Sequence, residues 1–176
     1  MARAQLEEIA ARHTLVALLE DKPGVLNRVV SLLRRRGFNI ESLTVGHSEV
    51  KGISRLTLVV AGDDAIIEQV VKQLYKLIEV VKVTDLSEER AVVRELALIK
   101  VNATASTRGE LMQIADIYRG RIIDLASDSL IIEITGPEDK IDSLIELVRR
   151  FGIKEIVRTG RVAMMRGVAG VIKADD

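Results

Sequence analysis

The feature that most restricts the fold is a junction that occurs twice. "VVAGDDAIIEQVV" at residues 59–71 and "EITGPEDKIDSLI" at residues 133–145 each carry a strand-like apolar run into a glycine. Acidic residues follow, and then apolar residues at helical spacing. A chain that repeats such a junction some 74 positions apart repeats the unit around it.

The flanking elements give the order of that unit. His13 to Leu19 is apolar and strand-like. Val25 to Arg36 carries apolar residues at 25, 26, 29, 30, 32 and 33, a helical stripe that Gly37 closes as a C′ residue. Phe38 to Val45 reads as a strand whose apolar parity shifts between Ile40 and Leu43, as a bulge would shift it. After the polar turn "HSEVKG", Leu56, Leu58 and Val60 alternate. Asp63 is placed to cap the next helix, and "EVVKVTDL" closes the unit as a strand. The second half repeats the order: strand Glu95 to Val101, helix "STRGELMQIADIYRG" stopped by Gly120, and a hairpin of "RIIDLA" and "LIIEITG" around "SDS". Helix "PEDKIDSLIELVRRFG" and strand "IKEIVRTG" complete it.

The expected fold class is therefore α+β, two ferredoxin-like βαββαβ units, each a four-stranded antiparallel sheet with two helices on one face. The expected divisions are an extension at 1–12, a first domain at 13–86, a linker at 87–93, a second domain at 94–167 and a tail at 168–176. In the first strand Leu15, Ala17 and Leu19 lie on one side and Val16 and Leu18 on the other, so neither side of that sheet is written for water. Such a sheet needs cover, and an oligomer is expected.

Composition narrows the chemistry. No apolar run approaches the ~18 residues of a membrane span. The absence of cysteine removes thiol chemistry and disulfides and fits a cytoplasmic protein. Basic and acidic residues balance at 26 each, so no global field attracts nucleic acid. The aromatics are Phe38, Phe151, Tyr75 and Tyr118, too few for a base-stacking sheet. "RRR" at 34–36 could touch phosphate, but the helix C-terminal dipole accounts for it better. With only His13 and His47, and with neither a Walker nor a dinucleotide glycine motif, metal clusters and catalytic dyads find little support. His47 precedes Ser48 and Glu49, but neighbours on a loop do not make a positioned triad.

One stretch remains, "LEDKPGVLNRVVSLLRRRGFNIESL" at 19–43. A Pro-Gly turn ahead of a helix leaves the N–H groups of Gly24, Val25 and Leu26 facing outward at the positive end of the dipole, a receptor for a small carboxylate. Asp21 suits an ammonium, Asn39 offers a donor and an acceptor, and Val25, Leu26 and Ile40 give apolar surroundings. Together they describe a site for an apolar α-amino acid. The same residues also describe an ordinary Asp-capped turn with Asn39 on a strand edge.

"LLEDKPGVLNRVVSLLRRRGFNIESLTVGHSE", "GISRLTLVV" and "QLYKLIEVVKVTDL", then "RELALIKV", "QIADIYRGRIID" and "EIVRTGRVAMMRG", resemble the regulatory small subunit of acetohydroxyacid (acetolactate) synthase from His13 to Gly167. The first unit resembles an ACT domain and the second that family's C-terminal domain. The resemblance implies a subunit without catalytic residues that activates the catalytic subunit of branched-chain amino acid biosynthesis and confers feedback inhibition, commonly by valine. Thiamine diphosphate, magnesium and FAD would belong to that partner, and no cofactor to this chain. The resemblance also implies a homodimer through ACT domains. The effector would lie between Asp21, Gly24, Val25 and Leu26 of one chain and Asn39 and Ile40 of the other. A stand-alone amino-acid-sensing ACT regulator is the alternative, and no helix-turn-helix pattern favours it.

Overall fold

The structure, a computed structural model, describes residues 12–87 and 91–167. Of the expected extension only Arg12 is among them; the expected tail and residues 88–90 of the expected linker lie outside the described residues.

The first unit runs β1 (Arg12–Glu20), α1 (Val25–Arg35), β2 (Asn39–His47), β3 (Ile53–Ala61), α2 (Asp64–Leu74) and β4 (Val80–Asp85). Its antiparallel sheet has the order β2-β3-β1-β4, so β1 and β3 are central and β2 is an edge. Leu15, Ala17 and Leu19 of β1 meet Val25, Val29 and Leu33 of α1 and Ile67, Val70 and Leu74 of α2 in one core. Each such side chain contributes about 1.5–3 kcal/mol on burial.

Local chemistry sets the ends of these elements. The N–H of Gly37 donates to the Arg34 carbonyl and that of Phe38 to the Leu33 carbonyl, the paired bonds of a Schellman stop. Asp63 caps α2 by accepting from the Ile66 N–H at 2.9 Å. The register of β2 against β3 slips between Ile40 and Ser42, leaving Glu41 as the extra residue that the parity shift anticipates.

The second unit runs β5 (Ala91–Asn102), α3 (Arg108–Ile117), β6 (Arg121–Leu125), β7 (Ser129–Gly136), α4 (Glu138–Val148), a 3₁₀ turn (Arg149–Phe151) and β8 (Ile153–Arg158). Its strands are ordered β6-β7-β5-β8, and Ala97, Ile99 and Val101 share a core with Leu111, Leu130, Ile132 and Leu144. Gly120 follows α3 as expected, yet the left-handed residue is Arg119, at φ 54°. Glycine is needed next to it because a Cβ there would come within 3.1 Å of Ile132 and 3.2 Å of the Glu133 carbonyl. At the far edge Arg158 grips Glu95, which is 7% exposed, through Nε at 3.1 Å and Nη2 at 2.5 Å. Those hydrogen bonds raise the Arg158 pKa above its usual range.

The ends of the second unit are defined by strand pairing and compactness. Residues 91–93, expected in a linker, are already strand β5. By compactness, described residues 12–92 and 161–167 group as one unit and 93–160 as the other, so residues 161–167 touch the first sheet while following the last strand of the second repeat. The physical link is polar. β9 (Val162–Met165) offers the Ala163 carbonyl to the Arg55 guanidinium at 2.7 Å, and Arg161 approaches the Thr14 hydroxyl at 3.5 Å. Both Arg55 and Thr14 lie on the sheet face away from the helices, in register with Leu18 and Val59. That face is buried: Val16 is 0%, Leu18 2% and Thr57 3% exposed. Part of the cover that its two-sided strands call for is thus supplied by the chain's own return. Desolvation there lowers the Arg55 pKa.

Two outcomes follow from this packing. Leu58→Ala, at a fully buried position in β3, should lower the unfolding free energy of the first unit by about 2–5 kcal/mol in a urea titration, against ~1 kcal/mol for Asp63→Ala. Arg55→Met should speed amide hydrogen exchange at Val162–Met165 while leaving the β1 core amides protected; unchanged exchange in β9 would mean that Arg55 does not hold the return.

Candidate effector site

The turn that opens α1 has a defined geometry. The Val25 N–H closes onto the Lys22 carbonyl at 3.3 Å, with Pro23 and Gly24 between them. Gly24 has φ 84° and ψ −9°, which is the second central position of a type II turn, with Pro at the first. A side chain at Gly24 would find open space but would have to hold a left-handed backbone. The turn corrects one expectation: the Val25 N–H is spent inside it and does not face outward. Its side chain is also 5% exposed and belongs to the core. Leu26 is 41% exposed in the first helical turn, where N–H groups have no intrahelical acceptor, and no acidic residue sits in that turn.

Asp21 stands at the end of β1 and is held from three sides by the β2–β3 hairpin. Its N–H donates to the Gly52 carbonyl at 2.8 Å. Its Oδ1 accepts from the Ser54 hydroxyl at 3.2 Å, and its Oδ2 lies 3.2 Å from His47 Nδ1. The neighbouring cation, Lys22, is committed to Glu20 at 2.7 Å, and that hydrogen bond raises the Lys22 pKa. Behind the turn, the Glu20 N–H donates to the Glu79 carbonyl at 2.9 Å, and the Glu79 carboxylate pairs with Arg28 of α1.

Asp21, His47 and Ser54 are three residue types that catalytic triads use, but their order is wrong for one. The carboxylate sits between the serine and the histidine, so the imidazole is not hydrogen-bonded to the hydroxyl it would have to deprotonate. What the cluster offers is an oriented, partly exposed carboxylate beside a helix N-terminus. The sequence reading missed the roles of His47, Gly52 and Ser54. The signal was present: in a βαββαβ unit the β2–β3 turn lies at the same sheet end as the β1–α1 turn.

The other two expected residues lie elsewhere. Asn39 pairs with Ala61, which pairs with Arg12, at the start of β1; Glu20, at its end, pairs with Ile53. The nine residues of β2 at ~3.3 Å per step separate Asn39 from the Asp21 corner by roughly 25 Å. Within one chain the structure brings Asp21, Gly24 and Leu26 together and does not bring Asn39 to them. Ile40 packs partly against the core of the first unit. Among the described residues no helix is long and apolar enough to cross a membrane, and no group of three or more His, Cys, Asp or Glu is arranged for a metal ion.

Comparison with known proteins assigns both units. Residues 15–82 match the AHAS small subunit-like ACT domain, and residues 94–167 match the family described as small subunit of acetolactate synthase. The chain is 56% identical over 156 residues to the probable acetolactate synthase small subunit of Archaeoglobus fulgidus, covering 89% of this chain and 98% of that one. It is 48% identical over 159 residues to the acetolactate synthase small subunit of Mycolicibacterium smegmatis, covering 90% and 94%. The crystal structure of the acetolactate synthase small subunit from Thermotoga maritima superposes with a TM-score of 0.84 at 48% identity, over 90% of this chain and 99% of that one. With both of its units matched and nearly the whole length of these relatives shared, the chain belongs to the acetolactate synthase small-subunit family.

Proposed function

We propose that this chain is a non-catalytic regulatory subunit that binds an acetolactate synthase catalytic subunit, raises its activity and makes it sensitive to feedback inhibition by L-valine. Thiamine diphosphate, magnesium and FAD are then the partner's, and the assembly is cytoplasmic. The effector carboxylate rests on the α1 N-terminus at Gly24 and Leu26, and Val25 shapes the turn from below. Its ammonium meets Asp21.

The observation that carries this reading is the strand register. Asn39 and Asp21 lie at opposite ends of one sheet, yet β2 is an edge strand with Val45 40% exposed, and α1 shows Leu26 and Val30 at 41% and 39% exposure one turn apart. An isologous pairing of two β2 edges about a two-fold near Leu43 sets Asn39 of each copy across from His47 of the other. The two ends of the sheet then meet, and Asn39 and Ile40 of one copy complete the Asp21 corner of the second. The same pairing covers the open strand edge and the apolar stripe of α1.

Two measurements test the reading. Differential scanning of the purified chain should give a melting temperature raised by L-valine and not by D-valine or L-serine, since a ligand at 100 times its Kd adds about 2.7 kcal/mol. In activity assays with the catalytic subunit, Asn39→Ala and Gly24→Asp should abolish valine inhibition while keeping activation. The second places a carboxylate where the effector's would sit and strains a φ of 84°. Loss of activation along with inhibition would sink the separation of the effector site from the partner surface.

A further inference from the structure

We infer, on the basis of the effector reading above, that His47 is a built-in competitor for the effector's ammonium and so sets the affinity of the site. Asp21 is not an empty receptor. Its Oδ1 is taken by the Ser54 hydroxyl, a contact that orients the carboxylate, and its Oδ2 faces His47 Nδ1 at 3.2 Å. An incoming ammonium needs the side of the carboxylate that faces solvent. Ser54 is 9% exposed and belongs to the frame of the site, whereas the His47 side chain is 86% exposed. An imidazole this exposed can rotate about its side-chain bonds and open Oδ2 without moving the backbone.

The geometry makes His47 Nδ1 a tethered stand-in for the N–H donor that the ligand would bring. It is the last residue of β2, and its backbone is fixed by pairing with Ser54, so its ring stays within reach of Asp21 when displaced. Lys22 does not take its place, because that ammonium is held by Glu20 at 2.7 Å. Valine binding is therefore an exchange, one N–H donor for another at the same carboxylate, and the net gain is smaller than Asp21 alone would give. An exposed polar contact is worth little, so the competition amounts to a few-fold change in affinity and not to a block. A weak competitor of this kind moves the working range of the sensor upward while leaving its selectivity, which rests on the carboxylate and side-chain contacts, untouched.

The test is a charge series at one exposed position, read by calorimetric titration of L-valine into the full chain. His47→Ala removes the competitor and should tighten valine by about threefold to fivefold. His47→Lys installs a permanent ammonium and should weaken it by a similar factor. In an Asp21→Asn background, where valine binds more weakly, His47→Ala should change nothing, since there is no carboxylate to release. An affinity that is unchanged or weakened by His47→Ala overturns the inference and makes His47 a supporting contact. The same holds if the gain survives Asp21→Asn. If the wild-type chain and every variant fail to bind any branched-chain amino acid, the effector reading itself falls and takes this one with it.

Discussion

The antiparallel register of β1, β2 and β3 is the constraint on which the rest depends. Once Glu20 pairs with Ile53 and His47 with Ser54, the β1–α1 turn and the β2–β3 hairpin must share one end of the sheet. The start of β2 must then lie at the other end, where Asn39 pairs with Ala61. A one-residue slip would turn every core side chain of β1 to the wrong face, so the burial of Leu15, Ala17 and Leu19 locks the positions of Asp21 and Asn39 as firmly as any direct contact. The separation of the two halves of the candidate site is a consequence of core packing.

Much of the first unit is legible in the sequence because its signals are local. The Schellman stop at Gly37, the Asp63 cap and the bulge at Glu41 each depend on residues within a few positions of one another. Their chemistry competes with little else. The fold and the family follow from the same local patterns, repeated across the chain. The partners of Asp21 are a different matter. His47, Gly52 and Ser54 are 26 to 33 positions away and meet it only because a hairpin folds back beside the end of β1. The number of free donors at the turn was not legible either. Whether a helix-start N–H is free depends on turn type, and the type II geometry of Lys22–Val25 consumes one of the three.

The contacts of residues 161–167 with the first sheet were illegible for a related reason. "GRVAMMRG" follows the last strand of the second repeat without a break in composition, and a repeat-based reading assigns it there. Among its contacts with the first unit is a guanidinium, Arg55, on the face of β3 that a two-layer domain leaves bare. A lone arginine amid "GISRLTLVV" reads as the polar side of an alternating strand. It acquires its meaning only when a carbonyl arrives to satisfy it, and a half-buried guanidinium without that acceptor would be costly. The second unit treats its outer face differently: Leu96, Leu98 and Ile131 are half-buried and Val157 is 51% exposed. Two copies of one topology have thus diverged where strand pairing does not constrain them.

The proposed division of the site between two copies also accounts for how such a small subunit could regulate at all. A ligand shifts an equilibrium only as far as it prefers one arrangement over the other, whatever its affinity. A pocket formed within one rigid unit would be the same in every arrangement and would transmit nothing. Here each half is rigid for its own reason: Asp21 is tied to the hairpin through Gly52 and Ser54, and Asn39 is tied to β3 through Ala61. Neither half can move to meet the other by local adjustment. The spacing across the β2 edges is the coordinate left to respond, and an effector that spans it must favour one spacing. Coupling of about 1–3 kcal/mol, enough for roughly 5–150-fold regulation, then requires only that a carboxylate–ammonium grip on one copy and an amide on the other be satisfied together in one arrangement and not in the alternative.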